Sequence, residues 1–324
     1  MGCATRLIRG SGAADIVMRL LLIHTGGTIG MAKTKIGFAP QSGVVEAAVA
    51  GLSSAAQITV TSLTPLIDSA NATWADWNRI AQTIAQAHDE YDGFIVTHGT
   101  DTLAFTTAAL CFALQGLNRP VILTGAMTPL GLPDSDGLRN LTDAVAAAQT
   151  ALPGIWVQFA GRLLHGARIR KADSHADAAF AASACNQPPL HPGAVLVRHD
   201  FAAAEIAMLS VTPGASRTLA AAIEVCDGAV LRVFGAGTVP NDPVLAGALH
   251  DAQRRGIPII AVSQCAQGGI HLGTYAAGNL LVLTGVIDGN SMTPEAAFAK
   301  LTHVLSRPVA ERASALRRSL CGED

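Results

Sequence analysis

The sequence predicts an α/β fold, with a larger N-terminal doubly wound, mainly parallel sheet domain and a smaller C-terminal α/β domain. Three observations predict it. Short apolar runs alternate with helical patterns over the first two thirds of the 324 residues. Strands separated by helices need crossover connections, and hence parallel pairing. The runs are apolar throughout instead of alternating, as in strands covered on both faces. A Pro-rich stretch then breaks the pattern, and a shorter α/β pattern follows it.

The elements follow in order. Residues 20–24 (LLLIH) read as a buried strand, and residues 43–51 carry an Ala/Val helical pattern. Alternate β-branched residues make 58–62 a second strand. Within 74–88 the apolar Trp77, Ile80, Ile84 and Ala87 recur at helical spacing. Asp92-Gly93 turns the chain into a third strand at 94–96, and a helix over 102–114 ends before Gly116. Residues 120–124 form a fourth strand, 138–151 an Ala-rich helix closed by Pro153-Gly154, and 155–159 a fifth strand. The segment CNQPPLHPG at 185–193 suits neither a helix nor a central strand, and is the candidate linker. Beyond it come strands at 195–198, 205–210, 229–234 and 258–262, and helices at 243–255 and 294–306. The expected divisions are a disordered tail at 1–17, the larger domain at 18–180, a linker and start of the second domain at 181–210, and the smaller domain at 211–324.

Composition narrows the function. Half the residues are apolar, 14% are charged and 4% are aromatic, which suits a compact chain and not a disordered one. So few charges leave room for a buried subunit interface, and a homo-oligomer is expected. The formal net charge is −2 and the only basic cluster, Arg168-Ile169-Arg170-Lys171, is short. Nucleic acid would want a broader basic face. No apolar run approaches the roughly 20 residues of a membrane span, and the N-terminal segment has no apolar core of a signal peptide. The six cysteines form no C-x-x-C pair and show no zinc-finger spacing with histidine. Reduced thiols in a cytoplasm are the expected setting. Cys265, just after a strand, either packs there or lines a site.

Two fragments carry the chemistry. HTGGTIG at 24–30 and HGTDT at 98–102 each follow a buried strand, where open α/β sheets hold their ligands. Gly26 and Gly27 allow a sharp turn and close approach of backbone to a ligand. The polar, Gly-bounded stretch 30–37 reads as a flexible loop over a site. Neither fragment has the spacing of a dinucleotide or phosphate-binding loop. Thr100 and Asp101 fall where the next helix should start, so an amide there can hold an anion or a polarised carbonyl. A threonine hydroxyl attacks only when a base or a nearby cation activates it. Lys171 alone reads as a solvated surface lysine, but beside Thr100 and Asp101 it would form a Thr–Lys–Asp relay. His98 alone reads as a core histidine bonded to backbone.

Together TGGTIG (25–30) and HGTDT (98–102) resemble the two signature segments of the bacterial-type L-asparaginase family. LTGAMTPL (123–130) with SDGLRNL (135–141) is similar to its third region, and GRLLHGARIRKAD (161–173) to its lysine-bearing region. SQCAQGG (263–269) and GTYAAG (273–278) also fit. The resemblance runs from Met18 to the final helix and is nearest to the cytoplasmic, type I-like branch.

The resemblance implies hydrolysis of the side-chain amide of L-asparagine to L-aspartate and ammonia, without a cofactor or metal. It implies an intimate dimer or a dimer of dimers. Thr28 matches the family's nucleophilic threonine, and Thr100, Asp101 and Lys171 match the second threonine with its Asp and Lys. Asp68 and Ser69 match the pair that holds the substrate's α-amino and α-carboxylate groups. The Thr100 amide, with Gly27 or Thr28 nearby and Gly99 before it, is the expected oxyanion donor. The Ala126 carbonyl is expected to receive the leaving amide. Which threonine attacks first stays open. One departure stands out: Phe38 occupies the loop position where the family has a tyrosine, and a phenyl ring exchanges no proton. Arg170 stands where a small or polar residue is usual. Alternatives are a relative preferring glutamine or both amides, the amidase subunit of a glutamyl-tRNA amidotransferase, and an amino-acid-binding protein with little turnover.

Overall fold

A computed structural model describes residues 17–35, 37–185 and 187–324. The expected tail, up to residue 16, lies outside the described residues. From the N-terminal side the elements are β1 (Arg19–Gly26), the hairpin β2 (Met31–Thr34) and β3 (Gly37–Pro40), α1 (Val44–Ala50), β4 (Gln57–Ile67) and α2 (Trp74–Ala87). Then come β5 (Gly93–Thr97), α3 (Leu103–Ala113), β6 (Leu114–Gln115), β7 (Pro120–Thr124), α4 (Gly137–Thr150) and β8 (Gly154–Phe159). Short strands follow: β9 (Arg162–His165), β10 (Ile169–Lys171), β11 (Phe180–Ala182) and β12 (Val197–Arg198). The second half holds β13 (Ile206–Ser210), α5 (Ser216–Val225), β14 (Gly228–Val233), α6 (Pro243–Arg255), β15 (Ile259–Ser263), α7 (Asn279–Leu283), β16 (Ile287–Asp288), α8 (Pro294–Leu305) and α9 (Val309–Arg317).

The larger sheet runs β4-β1-β5-β7-β8-β9. All its pairings are parallel except that of β9 with β8. Alternate residues serve its two faces. Leu21, Ile23, Phe94, Val96, Val121 and Leu123 pack under α2 and α3. Leu20, Leu22, Ile95 and Ile122 pack under α1 and α4. This is why the strands are apolar throughout. The smaller sheet, β13-β14-β15-β16, is also parallel.

Local chemistry fixes the helix starts. The Asp76 carboxylate accepts the Thr73 backbone N–H at 3.0 Å, half of a capping box for α2. Asp242 accepts from Val244 and Leu245 at 2.9 and 3.2 Å, with Pro243 at the first position of α6. Thr293 and Pro294 do the same for α8, Thr293 Oγ1 accepting from Ala296 at 3.1 Å.

Four expectations are corrected. The described residues of the stretch 30–37 lie largely in a β-hairpin, with Met31 opposite Pro40 and Lys33 opposite Phe38. The expected strand 195–198 shortens to β12 and pairs antiparallel with β6, so it belongs to the larger half. Helices α5 and α9 occupy stretches with no expected helix. The helix after Thr100 starts only at Leu103, so Thr100 and Asp101 lie in the turn before it. The described residues of the Pro-rich stretch form neither helix nor strand, yet they are anchored: His191 bonds Leu114 O at 3.0 Å, and Leu190 N–H donates to Cys321 O at 3.1 Å.

Helix α8 lies between the two halves. Its Ala296, Ala299 and Val304 join the core around α3. Its Ala297 and Leu301 pack on Val230, Ile260 and Val262 of the smaller sheet. Lys300, on the same helix, is buried in an ion pair with buried Glu323 at 2.7 Å.

Candidate active site

The sheet order places the site. From β1 the chain crosses to β4 on one side, then returns to β5 on the other. The crevice at such a switch point lies outside the carboxyl ends of the two middle strands. Thr28 follows β1, at the start of a 3-10 turn, and Thr100 follows β5.

Two glycines let the strand ends meet. Gly27 has φ +86°, and a Cβ there would lie 2.3 Å from the Gly99 nitrogen. A Cβ on Gly99 would lie 2.3 Å from Ser69 Oγ. A side chain at either position would drive these segments apart. Gly27, Ser69 and Gly99 therefore stack closely, with Thr28 and Thr100 next in sequence. Asp68 is exposed and caps the short turn Ser69–Asn71, accepting from Ala70 N–H at 3.3 Å. Thr102 Oγ1 donates to Ser69 O at 2.7 Å and ties this turn to the start of α3.

Lys171 is not a solvated surface lysine. Its Nζ donates to Thr100 Oγ1 at 3.0 Å and to Asp101 Oδ1 at 2.7 Å. Strand β10 carries it there. Its neighbour on β11 is Phe180, and the buried Arg168 anchors the strand's start, donating to Gly322 O at 2.8 Å and Ser291 Oγ at 3.1 Å. An ammonium on a hydroxyl oxygen lowers the cost of removing that hydroxyl's proton.

Buried polar groups brace the crevice from below. His24 Nδ1 lies 2.7 Å from Thr97 Oγ1, and its ring lies against Gly30 at the end of the Thr28 turn. Burial pushes the His24 pKa below its usual value, against the pull of the Glu46 charge. His98 Nδ1 bonds Gly99 O at 2.8 Å, so the backbone-bonded core histidine is what the structure contains.

Sequence reasoning missed a second brace. The Asp136 carboxylate accepts the N–H groups of Met127 and Thr128 at 3.0 and 2.9 Å. Asn140 donates to Gly125 O at 3.0 Å and to Asp136 at 3.0 Å, and accepts from Ala160 N–H at 3.1 Å. Both residues are buried, and they hold the 125–128 turn that contains buried Ala126. The sequence signals were the SDGLRNL segment of the third region and its Asp-Gly pair opening an Ala-rich helix, with Asn one turn later, neither of which says what the two side chains hold.

Phe38 lies on β3 and is 47% exposed. Cys265 is exposed beside a separate cavity of about 210 Å³ that Arg170 also lines, and the Arg170 guanidinium bonds the Ala266 carbonyl.

The family profile described as "Asparaginase, N-terminal" matches residues 19–197, and "Glutaminase/Asparaginase C-terminal domain" matches 205–316. The chain is 35% identical to L-asparaginase 1 of Escherichia coli K12, covering 89% of this chain and 92% of that one. It is also 35% identical to the human 60 kDa lysophospholipase, covering 90% of this chain and 58% of that protein. The crystal structure of L-asparaginase I from Vibrio cholerae superposes with a TM-score of 0.86 at 30% identity, over 95% of this chain and 99% of that one.

Proposed function

The chain belongs to the asparaginase family, and we propose that it hydrolyses the side-chain amide of L-asparagine to L-aspartate and ammonia. The observation that carries this reading is the Lys171 ammonium on Thr100 and Asp101, beside a strand end that presents Thr28. A second threonine held with a cation and a carboxylate at a strand end serves acyl transfer well.

The zwitterionic end of asparagine is held by Asp68 and Asp101 at its ammonium and by Ser69 at its carboxylate. Thr28 Oγ attacks the amide carbon. The negative charge that forms on the carbonyl oxygen falls to the Thr100 N–H, with Gly27 or Thr28 beside it. The C–N bond breaks and nitrogen leaves as ammonia, taking up the threonine proton. The Ala126 carbonyl orients that amide nitrogen. Water, positioned by Thr100, Lys171 and Asp101, then cleaves the β-aspartyl ester and restores Thr28. Gly99 keeps the floor of the pocket free of a side chain.

Assembly as an intimate dimer or a dimer of dimers, in the cytoplasm, is part of the same proposal. Its support is the type I relatives, the unpaired cysteines among the described residues, and exposed apolar positions such as Val225 and Val309. No helix among the described residues is long and apolar enough to cross a membrane.

Ammonia release from L-asparagine and L-glutamine, each with Thr28→Ala as reference, tests the reading. Release from asparagine that Thr28→Ala abolishes supports it. Faster release from glutamine would redirect the substrate. Binding of asparagine with no release would replace the enzyme by an amino-acid-binding protein. Release untouched by Thr28→Ala would remove Thr28 as nucleophile.

A further inference from the structure

A chain of three buried side chains ends on the peptide that carries the Thr100 N–H. Trp77 Nε1 on α2 lies 3.1 Å from Thr106 Oγ1 on α3. Thr106 Oγ1 lies 3.0 Å from His98 Nε2. His98 Nδ1, at the end of β5, lies 2.8 Å from Gly99 O. Trp77, Thr106 and His98 are all buried.

The direction of each bond follows from the chemistry of its ends. An indole N–H only donates, so Thr106 Oγ1 accepts from Trp77. The Thr106 hydroxyl then has its proton free for His98 Nε2, which accepts. A neutral imidazole with an accepting Nε2 carries its proton on Nδ1. That proton faces the Gly99 carbonyl, which only accepts. Both ends therefore specify the same tautomer. Burial holds the His98 pKa below its usual value, against the bond to Gly99, so the ring stays neutral.

The last link matters because a peptide group is planar and trans. Gly99 C=O and Thr100 N–H belong to one rigid unit and point in opposite directions. Holding the oxygen on one side aims the N–H on the other. Gly99 has no side chain to restrain that peptide, and its own space is filled by Gly27 and Ser69. Among the described residues, His98 is the side chain that bonds its carbonyl.

We propose that His98, with its tautomer set by Trp77 and Thr106, is a positioning residue that aims the Thr100 N–H at the developing oxyanion. This rests on the acyl-transfer reading of the site, in which that N–H is an oxyanion donor. The same chain seen as plain core packing would stabilise the fold without favouring the transition state over bound substrate.

Steady-state hydrolysis of L-asparagine separates the two. Thr106→Val keeps the shape and removes the hydroxyl, and His98→Leu removes the ring. His98→Leu should lower kcat, approaching the roughly 10²–10³-fold loss of one oxyanion donor, and Thr106→Val should lower it less because the Gly99 carbonyl still selects the same tautomer, with KM and inhibition by L-aspartate unchanged in both. Thr106→Ser and His98→Asn, which restore the donors, should recover most of kcat. Thr106→Val leaves the Trp77 N–H without a partner, so Trp77→Phe/Thr106→Val controls for stability. The proposal expects the double variant to regain stability in urea while kcat stays low. It is overturned if kcat returns with stability, or if KM rises in step with the loss. Should His98→Leu not fold, Thr106→Val and the double variant decide. Thr28→Ala runs alongside: retained turnover there sinks the acyl-transfer reading, whereas its loss with unchanged kcat in Thr106→Val sinks only the positioning role.

Discussion

Lys171 Nζ donates to Thr100 Oγ1 across 3.0 Å. The ammonium reaches this oxygen from β10, an element far along the chain from β5. Lys171→Met keeps most of the side-chain volume and removes the cation. It should lower kcat for asparagine by about 10²–10⁴-fold, the usual range for a proton-transfer group. The Lys171 pair with Asp101 involves a carboxylate that is largely exposed. Such pairs contribute about 0–1 kcal/mol, so urea unfolding of the variant should change little. A large loss of stability with intact kcat would contradict this assignment.

In the proposed reading, Phe38 offers an apolar ring where a hydroxyl would serve the site. Phe38→Tyr adds that hydroxyl on a hairpin position with solvent around it. One added hydrogen bond is worth about 0.5–1.5 kcal/mol net, so kcat should rise about two- to tenfold. An unchanged rate would mean that the hairpin, when closed, does not bring this position to Thr28.

The Lys300–Glu323 pair is fully buried, and both partners have further roles. Lys300 donates to Arg318 O at 2.7 Å, and Glu323 accepts the Leu320 and Cys321 N–H groups at 2.9 Å each. Lys300→Met strands a buried carboxylate, at a cost of about 3–5 kcal/mol. Urea denaturation monitored by far-UV circular dichroism would read this as a lower midpoint with an unchanged slope.

Stability should fall below neutral pH because two buried histidines resist protonation. Burial pushes His303 down to about 3 and His165 to about 4, helped by the charges of Arg307 and Arg168 and by neighbouring histidines. Their folded values lie below the unfolded one of about 6.5. Below pH 6.5 the unfolded chain then binds more protons, so stability declines as pH falls. Each histidine contributes a slope of about 1.4 kcal/mol per pH unit. The His165 contribution levels off near pH 4 and that of His303 near pH 3. Thermal unfolding between pH 7 and pH 4, compared with His303→Phe, measures the effect, and the variant should show the shallower decline.

Much of the fold was legible because its signals are local. The apolar strands β1, β5, β7 and β8 and the helices α2, α4 and α6 stand in the sequence as runs, periodicities and caps. What was missed depends on contacts from afar. Helix α9 lacks a strong apolar stripe, and β12 exists only because β6 offers an edge. The hairpin β2–β3 looked like a loop because its strands are four residues each, bounded by glycine, on a largely exposed two-stranded ribbon with no apolar alternation. At the site, the glycines and threonines were legible from their places at strand ends. The inward turn of Lys171 was not, because Arg168 and its distant partners hold that strand. Asp136 and Asn140 bond mainly to backbone, and no residue-type pattern marks which carbonyl or amide they will meet.

Helix α8 makes the larger half a late finisher. Its residues Ala296, Ala299 and Val304, with Ala315, Leu320 and Cys321 beyond it, complete the core around α3. Chains are made from the N-terminus, and domains tend to fold as they emerge. Here the first-made sheet, with both threonines already in place, leaves the ribosome with the α3 side of its core open. That apolar seat stays open until α8 and α9 are synthesised. The strand ends that carry the two threonines thus rest on a core that only α8 and the residues after it complete.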